Sequence, residues 1–345
     1  MKKSFLWGLV ALMLFSFFVI SCQKEDSPLK EEKNTEIKEE TPEKEEGNSS
    51  SSENSNEENN GGSNDNSNGS NQGGDSDNSD QNNNQSGNNN STDNNQADND
   101  VAFVSKVLVE DVTGTWCRYC PGVTRALQKA KNAETSLKER FVVVAIHNGK
   151  RRYEPMEITK SDALLEFFTT LPKNIRFEGG FPWFRMNRDQ QLYKSNASTH
   201  IFERLEKAPT SSIGIKISSQ LGDDGGNISV SFKTTEKLEG LKYHIFVTQD
   251  NLIYGQSDYD KGYDPNFKHD EVLRDIYGEV TGNELGTLTK GQEVTKANQK
   301  VSYNLLQHND LDKVKVVVFV TNAAGAVVNV QEAKANQTKD YQYAK

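Results

Sequence analysis

The chain of 345 residues predicts an α/β domain followed by an antiparallel β-sandwich, with a long polar segment ahead of both. Three observations predict it. Between Phe103 and Ile146, two apolar runs flank a stretch with helical spacing, the pattern of buried strands joined by a helix. From Thr210 onward, apolar residues alternate with polar ones over short segments separated by turn signals. Residues 23–100 hold 20 Asp or Glu, 5 Lys and no aromatic, so they lack the apolar surface that would offset chain entropy.

That charge split governs the rest. The formal net charge is −10, but residues 23–100 alone contribute −15 and Lys2 and Lys3 contribute +2, which leaves +3 for residues 101–345. A near-neutral remainder without a basic stripe argues against a nucleic-acid binder built on counterion release. Its 245 residues suffice for one large domain or two ordinary ones.

The first residues read as an address. Met1-Lys2-Lys3 is a positive start, and Phe5 to Ile20 is a mostly apolar run of 16 residues, short for a membrane span. It ends in Val19-Ile20-Ser21-Cys22, which resembles the bacterial lipobox. The resemblance implies a signal peptide over 1–21 and lipidation, as by palmitate, at Cys22. Lys24-Glu25-Asp26 resembles the sorting signal of surface lipoproteins of the Bacteroidetes, a lysine followed by two acids. Residues 22–100 are then the lipidated cysteine and a disordered acidic, Asn-Ser-Gly-rich tether of about 45–55 Å.

Phe103-Val104 and Val107-Leu108-Val109 predict a buried strand, broken by Thr113-Gly114-Thr115. Val123 to Leu137 has helical spacing, and Phe141 to Ile146 predicts a strand buried on both faces. Ser161–Leu171 is amphipathic within an apparent insertion over 148–172, and Ala197–Ala208 predicts a closing helix.

With Cys22 assigned to lipid, Cys117 and Cys120 remain, in Trp116-Cys117-Arg118-Tyr119-Cys120-Pro121. One such pair cannot supply four zinc thiolates, and the histidines at 147, 200, 244, 269 and 308 do not complete a finger. A redox pair or a resting disulfide at a strand-to-helix turn is the better reading. There the helix N-terminus and Arg118 favour a thiolate, and Cys117 is expected to be the more exposed sulfur.

The stretch Leu108 to Cys120 resembles the thioredoxin active site. The resemblance implies Cys117 as nucleophile, Cys120 as resolving thiol and Asp111 as the buried acid that moves protons, with Glu110 as its rival. Gly179-Gly180-Phe181-Pro182 resembles the segment that carries the family's cis-proline, which implies that Pro182 presents a substrate backbone. His147, at a strand end, is a further candidate for proton transfer or a structural histidine. On this reading residues 101–208 are a thioredoxin-like domain.

From Thr210 the period is two. Ile213, Ile215 and Ile217 alternate with polar residues, as do Ile228, Val230 and Phe232, then Tyr243, Ile245 and Val247. Asn304–His308, Val314–Val320 and Val327–Val330 continue the series, an immunoglobulin-like sandwich over 209–345. Asp258 to Asp264 lacks the closing Glu of a calcium loop and reads as a solvated loop. No nucleotide fingerprint or Ser/His/Asp triad is placed, and neither cofactor nor metal is expected.

Tyr243–Gln256, Phe267–Arg274 and Val316–Lys334, with Thr113-Gly114 through Pro121, resemble the Omp-twenty-eight-type outer-membrane lipoproteins of Bacteroidetes. That family joins a thioredoxin-like domain to a β-sandwich. The resemblance implies a lipid-anchored outer-membrane protein at the cell surface, with exported disulfide proteins or surface ligands as partners. His269 and Arg274 are family-like positions, read first as inter-strand polar contacts. Two functions stay open: a thiol–disulfide oxidoreductase, or a surface binding or adhesion lipoprotein whose cysteines form a resting disulfide.

Overall fold

The computed structural model describes residues 101–345; the signal-like start, Cys22, Lys24-Glu25-Asp26 and the tether lie outside the described residues. The elements run β1 (Phe103–Val104), β2 (Val107–Thr113), α1 (Cys120–Lys131), β3 (Phe141–His147), α2 (Ser161–Thr169), β4 (Trp183–Met186), β5 (Gln190–Gln191), α3 (Ala197–Lys207) and β6 (Thr210–Ser211). The second half adds β7 (Ile213–Gly222), β8 (Gly225–Thr234), β9 (Leu238–Gln249), β10 (Leu252–Asp258), β11 (Gly262–His269), β12 (Val272–Ile276), β13 (Asn283–Leu288), β14 (Glu293–Ser302), β15 (Val314–Thr321) and β16 (Val327–Lys334). The described chain is mostly strand, in mainly antiparallel sheets, with three α-helices.

A nine-stranded sheet has the order β16-β15-β9-β12-β3-β2-β4-β5, with β13 also on β9. β2 and β3 are parallel and fully buried, as their unbroken apolar runs demand. β12 joins β3 in parallel, with Val272 opposite Ala145, and the Ala145 N–H donates to the Glu271 carbonyl at 2.8 Å. The sheet therefore runs straight through the expected boundary at residue 208, and the second half is not a free-standing immunoglobulin-like sandwich.

The period of two sorts side chains onto two faces. Odd-numbered residues of β2 and β3, such as Val107, Val109 and Val143, pack against Val123 and Leu127 of α1 and Ile201 and Leu205 of α3. Register carries that face into β9 and β15. There Ile245, Val247, Val316 and Val318 meet Ile215, Val230 and Phe232 of the three-stranded sheet β14-β8-β7. On the opposite face Leu108, Val142, Val144 and Ile146 share one core with Leu164 and Phe168 of α2 and with Phe246, Val317 and Phe319. Thus α2, expected in an insertion, belongs to the core that straddles the seam. Burying a side chain such as Phe168, fully inaccessible here, contributes about 1.5–3 kcal/mol.

Two local expectations change. The helix predicted over 123–137 starts earlier and stops at Lys131, and a 3-10 turn over Ser136–Arg140 follows, capped by the Thr135 hydroxyl accepting from the Leu137 N–H at 3.2 Å. Asn304–His308 is a loop, not a strand. Gln249 of β9 holds it in place, donating to the Leu306 carbonyl at 3.0 Å and accepting from the Leu306 N–H at 3.0 Å.

Candidate functional site

The sequence Thr113-Gly114-Thr115-Trp116 ends β2 and turns the chain into α1. Gly114 gives the turn its room: a Cβ there would lie 2.7 Å from Trp116 Nε1 and 3.1 Å from the Asn148 carbonyl. That indole N–H donates to the same carbonyl at 3.0 Å. Asn148 is tied to α2 in turn, its amide donating to Glu157 at 2.8 Å, to Asp162 at 2.7 Å and to Ser161 at 3.1 Å.

Cys117 and Cys120 form a disulfide with their Cα atoms 5.5 Å apart. Cys120 opens α1 and Pro121 occupies its first turn, where a missing N–H costs nothing. That turn carries no acidic residue and no side-chain cap; its Cys120 N–H donates to the Cys117 carbonyl and its Gly122 N–H to the Tyr119 carbonyl, both at 3.2 Å. The expected exposed sulfur is not found. Cys117 is 3% exposed and Cys120 1%, because the hairpin β10–β11 lies across the turn. Arg118, expected beside the thiolate, instead sets its guanidinium 4.9 Å from the centre of the Tyr259 ring.

Asp111 lies on β2 and faces α1. It is 4% exposed, its Oδ1 has no hydrogen-bond partner among the described residues, and burial pushes its carboxyl up to about 7. It stands in the wall of a cavity of ≈ 380 Å³ at the seam, with Thr124 and Gln128 of α1, Ala145, Asp270 and Glu271. Its neighbour Glu110 points to the other face, where Arg185 and Arg188 hold it at 3.0 and 2.8 Å. Burial alone would raise Glu110, but the two guanidiniums outweigh it and keep the carboxyl below its usual range.

The Phe181–Pro182 bond is cis. It leads into β4, where Trp183 pairs with Val112 and Phe184 with Asp111, so Pro182 sits beside the end of β2. Phe181 packs on Trp116 with ring centres 5.0 Å apart.

His147 ends β3 and is 3% exposed. Its Nδ1 lies 3.0 Å from Glu154, a residue the sequence did not single out. The other Glu154 oxygen accepts from the Thr115 N–H at 2.7 Å and the Thr115 hydroxyl at 2.8 Å. Burial would raise Glu154, but these bonds and the imidazole hold it below its usual range. His269 of β11 meets His147 edge to face at 5.3 Å, and burial, helped by His147, pushes it down to about 3. Arg274 donates to the carbonyls of Met156 at 2.9 Å and Asn304 at 3.1 Å, a tie between segments rather than a ligand site. Among the described residues no group of three or more His, Cys, Asp or Glu is arranged to hold a metal. Nor is any described helix long and apolar enough to cross a membrane.

The strands from β4 through β16 can be compared with known proteins. Residues 169–339 match the outer membrane protein Omp28 family. The Omp28 match supports an outer-membrane location, begins within α2 and does not reach the cysteine pair. No curated protein matches the chain. Among solved structures, HBP35 of Porphyromonas gingivalis is similar at a TM-score of 0.53 and 18% identity, over 69% of this chain and 77% of that one. At that identity the likeness speaks for a shared fold alone. A protein of Agrobacterium tumefaciens scores 0.43 at 16% identity, over 68% of this chain and 97% of that one, too low to argue from.

Proposed function

We propose that the chain is a lipid-anchored outer-membrane protein, displayed at the cell surface, whose residues 101–208 form a thioredoxin-like unit with thiol–disulfide oxidoreductase activity. The observation that carries this is the Cys117–Cys120 disulfide at the N-terminus of α1, fed by a strand whose Asp111 is buried, unpartnered at Oδ1 and near pKa 7.

In the proposed exchange a dithiol donor first opens the Cys117–Cys120 bond and leaves as its own disulfide; the Cys117 thiolate then attacks a client disulfide and the client's leaving sulfur takes a proton. Cys120 then gives its proton to Asp111 and attacks the mixed disulfide. The client leaves reduced, and the Cys117–Cys120 bond closes. Pro182 and Phe181 would border the client chain, and His147 is the second proton-carrying candidate. The anchor is assigned to Cys22 and the sorting signal to Lys24, Glu25 and Asp26.

The test is the reduction potential of the pair together with trapping. A working pair lies well above about −300 mV, the region below which structural disulfides fall. Cys120→Ala accumulates reductant-sensitive complexes with client proteins and Cys117→Ala does not. If Cys120→Ala traps nothing and the potential lies below that value, the activity is refuted. The burial of Cys117 favours a second reading, a surface binding lipoprotein with a resting disulfide, and those same outcomes would select it. Loss of detergent partitioning in Cys22→Ala tests the anchor. Loss of protease sensitivity on intact cells, when Lys24, Glu25 and Asp26 become Ala, tests the display.

A further inference from the structure

Among the described residues the hairpin β10–β11 pairs only with itself and joins neither larger sheet. Its outer strand is largely exposed, while on the inner strand Leu252, Gln256 and Asp258 are buried, alternate side chains turned to one side past a bulge between Tyr254 and Gln256. What they face is the cysteine turn. Gln256 Nε2 donates to the carbonyls of Cys117 at 3.1 Å and Gly114 at 3.2 Å. The Ser257 N–H donates to the Thr115 carbonyl at 2.9 Å and the Tyr259 N–H to the Arg118 carbonyl at 2.7 Å. Backbone acceptors along the turn are thus already taken by an extended strand of the same chain.

The hairpin is fixed differently at its two ends. At the base Leu252 is buried with Met156 and Val272, and His269 rests on His147. At the tip the attachment is polar and partly exposed. Arg125 of α1 reaches Asp258 at 2.6 Å and Asp260 at 2.7 Å, and Tyr259 stacks on Tyr119 with Arg118 over its ring. Gly262, at φ +84°, lets the chain reverse there.

We infer that β10–β11 is a hinged cover: the strand β10 occupies the surface along Gly114–Arg118 that a client chain would use, and its tip must unclasp before the disulfide exchanges. This deepens the oxidoreductase reading and rests on it for the identity of the client, an extended segment next to a cysteine.

The experiment releases the clasp with Arg125→Ala plus Tyr259→Ala in the described domain's full chain. Dithiothreitol reduces the Cys117–Cys120 bond, becoming its own cyclic disulfide, and the freed thiols are counted by maleimide-polymer gel shift. Losing two ion pairs and a cation–π stack is expected to speed reduction about tenfold in the folded variant. Amide exchange at Ser257 and Tyr259 should rise with it, and both proteins should react equally once unfolded. Asp260→Ala, at an exposed side chain, gives a smaller rise in the same direction if the double variant does not fold. Reduction within twofold of wild type, with those amides exchanging freely, overturns the cover. Faster reduction in a protein that never exchanges with a protein disulfide leaves the cover standing and removes the oxidoreductase. Rapid exchange by wild type, at the rate of the variant, does the reverse.

Discussion

Glu110 and Asp111 are consecutive on β2, equally hidden from water, and opposite in every electrical respect. Glu110 faces α2 and is clamped by Arg185 and Arg188, so its charge is kept. Asp111 faces α1 and the seam cavity, where Lys131 and Lys315 pair with Glu271 and Asp250 rather than with it, so burial suppresses its charge. Burial by itself therefore says little about a carboxylate; the face of the strand decides whether it keeps its charge or its proton. Their contributions to stability run in opposite pH directions. The folded pKa of Glu110 is depressed, so its contribution is full above the unfolded value and fades as pH falls. The folded pKa of Asp111 is raised from 3.8 to about 7, so its contribution is full below pH 3.8 and is lost as pH rises toward 7.

The comparison breaks first at Glu110. Glu110→Gln leaves two buried guanidiniums facing each other without a counter-charge and should cost about 3–5 kcal/mol in urea unfolding at pH 7. A loss below about 1 kcal/mol would mean the arginines are satisfied elsewhere. Next, the raised pKa of Asp111 implies about 2–4 kcal/mol of stability lost between pH 4 and pH 8. Asp111→Asn should remove that slope, so the variant gains on wild type as pH rises; parallel stability curves would show that Asp111 ionises normally.

A smaller effect sharpens the picture at the cysteine turn. Glu154→Gln weakens the hold on Thr115 and His147 and should cost about 1–3 kcal/mol, read as a lower urea midpoint at unchanged slope. The smallest is a control. Arg204→Ala breaks the partly exposed pair with Asp189 at 2.9 Å and should shift stability by no more than about 1 kcal/mol.

What could be read from the residues was whatever is local. The apolar runs of β2 and β3, the spacing of α1, α2 and α3, and the alternation of β7, β8 and β9 each depend on neighbours a few positions apart. The turn at Cys117 was legible for the same reason, as was the choice of Asp111 and Glu110 as the two acids in question. Which of them keeps its charge was not, because Arg185 and Arg188 lie more than seventy positions along the chain. The seam was hidden for a related reason. It rests on the single short strand Val-Leu-Arg-Asp-Ile of β12, too brief for a clear period, meeting Ala145 from 127 positions away. The hairpin was disguised by composition: Asp, Gly, Pro and Asn in β11 resemble a solvated loop, and most of its side chains are indeed in water. Glu154 carried no signal at all, since only folding brings it to Thr115.

The parallel pairing of β12 with β3 bears on how the chain can be divided in the laboratory. A fragment ending at residue 208 would keep the cysteines but lose the strand that covers one edge of β3. It would also uncover Val142, Val144 and Ile146 where Phe246, Val317 and Phe319 now pack. An open, flat, β-branched edge of that kind is a template for pairing between molecules. The cysteine-bearing half taken alone should therefore emerge as inclusion bodies or strand-exchanged dimers, and thiol assays on such a piece would measure the behaviour of an aggregate.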